Sequence, residues 1–247
     1  MSFADAGING PADLAGRKVG SWGFGNEFEL LAGSRASGVE PGEDYEIVQQ
    51  AFDMQALISG EIDAAQAMIY NEYAQVLETV NPDTGELYQP DDLTVIDWND
   101  EGTAMLQDAI WADGPRLEDA AYQDQTTRFI AASVQGWSWC RDNESACVDV
   151  VLNNGTTLGT SHQTWQLNEI NGLIWPSPDG AGIMDQGLWD QTIEVSVSEQ
   201  VLTGEPEEGS FTTEFAQAAL ELLEDKDIDV NGSGWSRTEV ELLEGGN

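Results

Sequence analysis

Residues 11–32 read PADLAGRKVGSWGFGNEFELLA, and this stretch sets the fold class that the rest of the chain must fit. The segment KVGSW, Lys18–Trp22, predicts a short buried strand. The glycine-rich turn GFGN follows at residues 23–26 and opens a helix predicted over residues 27–36. A strand that passes through a tight turn into a helix is the repeating unit of α/β proteins.

The same alternation continues on the C-terminal side of this stretch. Asp53 is well placed to cap a helix that Gly60 ends. Further strands are predicted over residues 45–50, 64–69 and 93–98, and further helices over residues 53–59 and 71–80. These elements favour a parallel or mixed sheet flanked by helices over residues 17–100.

The second half of the chain has a different character. One more apolar strand is predicted over residues 103–111, and the pattern after it is helical. The predicted helices span residues 123–140, 144–153, 161–174, 185–202 and 213–225. Residues from Asp227 onward are expected to form a loosely held tail. The chain therefore reads as an α/β lobe followed by a helical segment.

The charge balance restricts the partners of this protein. There are 46 acidic residues against 8 lysines and arginines, which gives a formal net charge of −38 at pH 7. Nucleic acid is excluded, because its phosphates would be repelled and counterion release needs cations on the protein. Such repulsion is screened at about 1 M salt, where the Debye length is about 3 Å. The composition favours an acidic surface of a halophilic protein, and an ordinary acidic protein of a low-salt organism is the alternative.

Two cysteines and one histidine limit the metal and nucleophile chemistry of the chain. Cys140 and Cys147 stand too far apart for a CxxC motif, and His162 lies apart from both, so no metal site and no cofactor is predicted. The two cysteines either form a local disulfide or remain two free thiols. His162 opens a predicted helix, and the chain has no GxSxG nucleophile elbow, so no catalytic residue is assigned.

Aromatic and polar side chains follow two of the predicted strands, at the edge where open α/β sheets bind ligands. The candidate ligand-binding residues are Trp22, Gly23, Phe24, Asn26, Glu27, Tyr70, Asn71 and Glu72. Aromatic faces stack on planar ligands, and carboxylates and carboxamides accept hydrogen bonds from ring amines. The pattern favours a planar, nitrogen-rich solute over an inorganic oxyanion. The glycine-rich turn by itself is equally compatible with a tight turn that has no further role.

Four segments together resemble a known family. They are PADLAGRKVGSW (residues 11–22), GNEFELLA (residues 25–32), FDMQALISGEIDAAQAMIYNEY (residues 52–73) and RFIAASVQGWSWCRDN (residues 128–143). Their order is similar to that in type II periplasmic binding proteins. More narrowly, it resembles the thiamine-pyrimidine-synthase-like branch, which includes solute-binding proteins of ABC importers.

The resemblance implies a two-lobed α/β fold in which mixed sheets are flanked by helices and a hinge motion closes the lobes around a solute. Residues 17–102 correspond to lobe two, and residues 1–16 together with 103–247 correspond to a partial, mostly helical lobe one. Family members begin with a signal sequence and the opening strands of lobe one. This chain contains neither, so the first lobe is expected to be incomplete.

The function implied by the resemblance is the extracytoplasmic solute-binding component of an ABC transporter. The expected solute is a small planar heterocycle, either a thiamine pyrimidine precursor or a flavin-like compound such as riboflavin. The expected partners are this solute and the permease subunits in the membrane, with the binding protein itself a monomer. The parent protein is expected in the periplasm or at the extracellular face of the cell membrane.

Three alternatives remain open at this stage. One is an enzyme of the pyrimidine-synthase type, and the others are a binding protein for nitrate- or sulfonate-type anions and a cytoplasmic ligand sensor. Synthases of this superfamily use a cysteine-rich motif and a histidine that is itself consumed. The matching region, residues 105–111, has no cysteine, and no histidine precedes His162. These absences from the sequence favour binding over synthesis.

Overall fold

The computed structural model describes residues 1–155 and 157–246. Five strands are present: β1 (Ser2–Phe3), β2 (Lys18–Ser21), β3 (Glu46–Gln49), β4 (Ala64–Ala65) and β5 (Leu93–Thr94). The helices are α1 (Phe28–Ala36), α2 (Gln55–Ile58), α3 (Glu72–Leu77), α4 (Ala120–Asp142), α5 (Glu144–Asn154), α6 (Thr160–Ile174), α7 (Gln186–Ser198) and α8 (Glu214–Glu224). Short 3-10 helices span Ala4–Ala6, Pro11–Leu14, Pro90–Asp92 and Gly114–Glu118.

The chain divides into two compact units. Unit 1 comprises Met1–Leu106, Gln186–Pro206 and Leu242–Asn247. Unit 2 comprises Gln107–Asp185 and Glu207–Glu241. These boundaries differ from the predicted lobes, because residues 1–16 join the same unit as residues 17–102, and α7 joins it as well. The assignment of residues to the lobes of a two-lobed parent stays a prediction.

Unit 1 contains the sheet, whose strand order is β3-β2-β4-β1-β5. β2 pairs in parallel with both β3 and β4, whereas β1 runs antiparallel to β4 and β5. The mixed α/β architecture expected from the sequence is therefore confirmed. Connections through α1 and α2 are what allow neighbouring strands to run in parallel, since such strands need a crossover.

Helices cover both faces of this sheet. Val19 of β2 and Ala64 of β4 pack with Leu30 of α1 in one apolar cluster. The next residue of β4, Ala65, points to the opposite face and packs with Leu57 of α2 in a second cluster. The alternation follows from the two-residue period of a strand, which sends consecutive side chains to opposite faces.

Helix α7 supports the first of these helix layers. It packs against α1, and Arg35 near the end of α1 donates to the carboxylate of Glu199 just beyond α7. The same guanidinium donates through Nε to Glu40 at 3.0 Å. A segment distant in sequence is thus fastened to the sheet by packing and by a charged hydrogen bond.

In the described residues of unit 2, all regular secondary structure is helical. Its main core forms between α4 and α8, where Ile130 and Val134 meet Ala219 and Leu223. Trp175, which follows α6, is buried in the same cluster. The guanidinium of Arg141 lies 4.5 Å from the centre of the Trp175 ring, and Nη1 of Arg141 donates to the carbonyl oxygen of Asp229 at 3.0 Å.

The structure joins Cys140 of α4 and Cys147 of α5 in a disulfide. Both cysteines pack with Val148 of α5 and Leu167 of α6 in a small apolar cluster. The bond fixes the corner between two consecutive helices. Since no free cysteine accompanies it, the alternative of two free thiols is wrong for this structure.

The segment after Asp227 is held in place, contrary to the expectation of a loose tail. Val230 is buried in the main core of unit 2. Asn168 of α6 accepts hydrogen bonds from the backbone N–H and the hydroxyl of Thr238, at 3.0 and 3.2 Å. Farther along, Leu242 packs into the core of unit 1. The sequence pattern missed this because the apolar residues of the segment are too widely spaced to form a helical period.

The strand predicted over residues 103–111 is absent, and those residues have no regular secondary structure. Leu106 donates its backbone N–H to the hydroxyl of Thr192 of α7 at 2.8 Å. The carbonyl oxygen of Ala104 accepts from the carboxamide of Gln191 at 2.6 Å. Side chains of α7 therefore satisfy part of the backbone that a neighbouring strand would otherwise pair. None of the helices in the described part of the chain combines the length and apolar composition needed to cross a bilayer.

Candidate ligand-binding edge of the sheet

The carboxyl ends of three parallel strands meet at one side of unit 1. The residues that follow β2, β3 and β4 there, namely residues 21–27, 49–53 and 66–72, are called here the carboxyl edge. Open α/β sheets bind ligands at such an edge, because side chains and backbone groups from several strand ends converge on it. The structure brings both groups of predicted ligand-binding residues to this edge.

Two glutamines tie the strand ends together. Gln50 is buried, and its carboxamide donates to the carbonyl oxygen of Gln66 at 2.9 Å and accepts from the backbone N–H of Gln66 at 3.0 Å. A side chain at Gly20 would force the Gln50 carboxamide to move, since an added Cβ would lie 2.5 Å from Oε1 of Gln50. The glycine in β2 is therefore favoured by the close approach of Gln50 and not by its backbone angle.

Gln66 in turn holds the turn after β2. Its Oε1 accepts from the backbone N–H of Trp22 at 3.2 Å, and its Nε2 donates to the carbonyl oxygen of Asn26. Gln49, at the end of β3, donates to the carbonyl oxygen of Trp22 at 2.6 Å. One turn is thus fastened by side chains from both neighbouring strands. Sequence reasoning missed all three glutamines, although each stands at or directly after a strand end.

The turn at residues 23–25 has an unusual backbone. Gly23, Phe24 and Gly25 all have positive φ angles, of 68°, 55° and 106°. Such a conformation is costly for a phenylalanine, by about 1–2 kcal/mol. It is maintained because the carbonyl oxygen of Gly23 accepts from both the backbone and the side chain of Asn26, each at 3.2 Å. The Phe24 side chain is 97% exposed at the tip of this turn.

The two aromatic residues nearest the strand ends form a stack. The ring of Trp22 is 5% exposed and lies under Phe52, with ring centroids 6.1 Å apart and planes inclined by 15°. Nε1 of Trp22 donates to the carbonyl oxygen of Ala51 at 3.2 Å. Trp22 is therefore the base of the stack, and the outer ring, Phe52, is 77% exposed. Phe52 was not among the residues selected from the sequence.

The corner at Tyr70, Asn71 and Glu72 follows β4 along the same edge. Glu72 is buried, and its carboxylate accepts from the backbone N–H of Met68 at 3.0 Å and from the carboxamide of Asn71 at 2.8 Å. Glu27, on the turn after β2, accepts from the backbone N–H of Gly25 at 2.9 Å. Both predicted carboxylates therefore order their own turns, while Tyr70 is half-buried at the corner.

The side chains at the carboxyl edge include groups suited to holding a ligand. Its three segments read SWGFGNE, QQAFD and QAMIYNE, which contain aromatic, carboxamide and carboxylate side chains but no histidine, cysteine, lysine or arginine. His162 is buried on α6 in unit 2. Within the described residues, no cluster of three or more His, Cys, Asp or Glu side chains could hold a metal ion. Stacking and hydrogen bonding are two interactions that this edge can supply.

Two concave surfaces lie away from this edge. One, of about 610 Å³, is lined in unit 2 by Trp165, Glu169 and residues 238–241. The other, of about 560 Å³, surrounds the start of β2 at Arg17 and Lys18, at the amino-terminal edge of the sheet. Burial raises the pKa of Glu169, against the opposing effects of Arg237 and a hydrogen bond from Asn168.

A five-stranded mixed sheet flanked by helices defines a periplasmic-binding-protein-like α/β protein. The model of the NMT1/THI5-like family matches residues 1–146, and the chain belongs to this family. The family includes ABC solute-binding proteins, which are generally extracytoplasmic, and also pyrimidine-synthase-type enzymes. No curated protein matches the chain.

Proposed function

We propose that this protein is the solute-binding component of an ABC importer and that it holds a small planar nitrogen heterocycle at the carboxyl edge of unit 1. The candidate solutes are a thiamine pyrimidine precursor and a flavin-like compound. The observation that carries the proposal is the pair of exposed phenyl rings, Phe24 and Phe52, at the ends of adjacent parallel strands. Around them lie carboxamides and carboxylates that suit ring amines.

Binding is favoured over pyrimidine synthesis by the residues at this edge. Synthases of this superfamily use a cysteine-rich motif and a histidine that is itself consumed, and the edge segments contain neither histidine nor cysteine. The single histidine, His162, belongs to the other unit and is buried in its helix. A role without catalysis needs only the groups that the edge presents.

The disulfide between Cys140 and Cys147 supports an extracytoplasmic location, since disulfides persist in oxidising compartments. The partners in this proposal are the solute and the permease subunits, and the binding protein acts as a monomer. Its net charge of −38 supports adaptation to molar salt. Closure of two lobes around the solute belongs to the same proposal.

The test is calorimetric titration in molar KCl with thiamine, its aminopyrimidine precursor, riboflavin and free nucleobases. Binding of one heterocycle is expected, and Phe52→Ala should weaken it about tenfold or more through loss of ring contact. Phe129→Ala is the matched control, because Phe129 is also an exposed phenylalanine but lies on α4 of unit 2.

Two results would contradict the proposal. One is the absence of binding by every heterocycle in the panel. The other is equal loss of affinity in the Phe52 and Phe129 variants, which would show that the carboxyl edge has no special part in binding. Release of a new product from the solute during the titration would instead favour the enzyme reading.

A further inference from the structure

The distribution of charge at the carboxyl edge bears on which form of a heterocycle can bind. We infer that this edge accepts uncharged or cationic solutes and rejects anionic ones, including the phosphate ester of an otherwise acceptable heterocycle. The inference rests on the proposed function and specifies its substrate class. Two observations support it. Carboxylates of the chain accept hydrogen bonds from backbone N–H groups at this edge, and the lysine and arginine side chains of unit 1 lie elsewhere.

At each of the three strand ends, one backbone N–H is already engaged by a carboxylate of the chain. Glu27 accepts the N–H of Gly25 at 2.9 Å. Asp53 accepts the N–H of Gln55 at the start of α2, also at 2.9 Å. In α/β proteins such turns and helix starts commonly bind phosphate. Here two of the three strand ends supply their own negative charge to these donors.

The third strand end repeats the arrangement. Glu72 accepts the N–H of Met68 at 3.0 Å, in the turn that follows β4. A phosphate that bound the N–H of Gly25, Gln55 or Met68 would have to displace a carboxylate from that donor. It would also lose water without gaining a counter-charge, which is strongly unfavourable.

The lysine and arginine side chains of unit 1 lie at the opposite edge of the sheet. Arg17 and Lys18 stand at the start of β2, and Arg17 faces Asp63 at 4.0 Å. Arg35 is at the end of α1, the helix that starts at the carboxyl edge and runs away from it, and it is paired with Glu40 and Glu199. None of these side chains is available to neutralise an anion at the carboxyl edge.

A cationic or neutral heterocycle, unlike an anion, can form favourable contacts with the carboxylates and phenyl rings of this edge. Ring amines and amidine-like nitrogens can donate to carboxylate oxygens that have lone pairs beyond the one used for the backbone. The exposed rings of Phe24 and Phe52 also attract a cationic ring more strongly than an anionic one. The same groups therefore favour one charge class and disfavour the other.

The experiment compares each heterocycle with its own phosphate ester. Riboflavin is titrated against FMN, and thiamine against thiamine monophosphate, at 0.2 M and 2 M KCl. The uncharged or cationic member should bind at least about tenfold more tightly than its phosphate. The preference should persist at 2 M KCl, where the field of the whole acidic protein is screened within a few ångströms.

Glu27→Gln is the informative variant, because glutamine can still accept from the N–H of Gly25 while the negative charge is removed. It should reduce the preference severalfold at both salt concentrations. Glu43→Gln removes one charge at the amino-terminal edge, beside Arg17 and Lys18. As the matched control it should leave the preference unchanged.

The outcomes separate this inference from the proposed function. Equal binding of a heterocycle and its phosphate would overturn the inference and leave the proposed function in place. So would a preference that disappears at 2 M KCl, since the discrimination would then come from net charge and not from the edge. If no compound of either kind binds, the proposed function fails, and the inference fails with it.

Discussion

Two buried tryptophans, one in each unit, show how differently the units use the same chemistry. Trp175 in unit 2 is 2% exposed and is covered by the guanidinium of Arg141, whose own side chain is 4% exposed. Trp22 in unit 1 is covered by Phe52, and the outer face of that stack is open to solvent. One stack is completed inside the protein, and the other ends at its surface.

The difference shows that the burial of a tryptophan, which Trp22 and Trp175 share, says little about its role. What matters is whether the second member of the stack has a further neighbour. Arg141 also donates to Asp142 and to the carbonyl oxygen of Asp229, so its contacts are used for folding. Phe52 lies at a strand end with its outer face available for a ligand. We therefore expect changes in unit 2 to affect stability and changes at the carboxyl edge to affect binding.

The largest expected effect is that of Arg141→Ala. The variant loses the cover on Trp175 and the hydrogen bond to Asp229, and it creates a cavity, so the free energy of unfolding should fall by about 3 kcal/mol. Arg128→Ala is the control, because Arg128 forms an exposed pair with Asp124 on the same helix. It should cost about 0.5 kcal/mol or less. Chemical denaturation at fixed molar KCl measures both.

A similar loss in the two variants would contradict the assignment of Arg141 to the core of unit 2. Loss of solute binding in the Arg141 variant, with stability retained, would contradict the expectation that changes in unit 2 affect stability and not binding.

The second effect concerns pH: the stability of the fold should change with pH in opposite directions for a group in unit 1 and a group in unit 2. Burial lowers the pKa of the Met1 α-amine in unit 1 from 8.0 to about 6, where it donates to the carbonyl oxygen of Ala65. The folded state then binds fewer protons than the unfolded state between pH 6 and 8, so stability should rise with pH across this window. A two-unit shift corresponds to about 2–3 kcal/mol.

Glu169 in unit 2 should act in the opposite direction. Because burial raises its pKa above 4.5, its contribution to stability is present at low pH and is lost as the pH rises above 4.5. Unfolding measured from pH 4.5 to 8 should show both slopes. A chain acetylated at Met1 should lose the rise in stability between pH 6 and 8. The Glu169→Gln variant should lose the fall in stability above pH 4.5. An unchanged profile after acetylation would show that the amine is solvated.

The smallest expected effect is at Phe24. Asparagine tolerates positive φ better than phenylalanine, so Phe24→Asn should stabilise the fold by about 0.5–1 kcal/mol while weakening solute binding. Gln200→Asn is the control, because Gln200 also has a positive φ, of 60°, but follows α7 away from the strand ends. It should give the stability gain alone. Unchanged affinity in the Phe24 variant would mean that the strained turn has no role in binding.

Long periodic segments were predictable from the sequence. Helices predicted over residues 123–140, 144–153 and 161–174 are present as α4, α5 and α6, with ends displaced by at most three residues. Their apolar spacing suffices because a helix makes its backbone hydrogen bonds within itself. The elements β2 and α1 were also predicted, because the glycine-rich turn between them marks where the strand ends and the helix begins.

Strands were less predictable, because a strand exists only where a partner lies beside it. The apolar segments at residues 64–69 and 93–98 pair over only two residues each, in β4 and β5. Residues 103–111 form no strand, and β1 at Ser2–Phe3 was not predicted at all. The residues of a segment indicate that it can form a strand, but they do not show whether another strand lies beside it to pair with.

The candidate site was predictable in position but not in its internal contacts. The strand ends and their aromatic residues follow from the pattern, whereas Gln50 and Gln66 look like ordinary surface residues in a sequence. Their role depends on hydrogen bonds between each carboxamide and backbone groups of a neighbouring strand end, which the parallel register of β2, β3 and β4 brings within reach. The one usable signal was their position within the segments predicted to be strands, residues 45–50 and 64–69.

The interleaving of the two units has a consequence for the synthesis of the chain. Translation delivers the whole sheet first, but α7, which packs against α1 and provides Glu199 for Arg35, emerges only after most of unit 2 has been made. A nascent chain that has reached residue 146, where the family match ends, still lacks that helix. Unit 1 is therefore finished late on the ribosome, although it begins first, and a fragment cut at the end of the family match leaves one face of α1 without its helical neighbour.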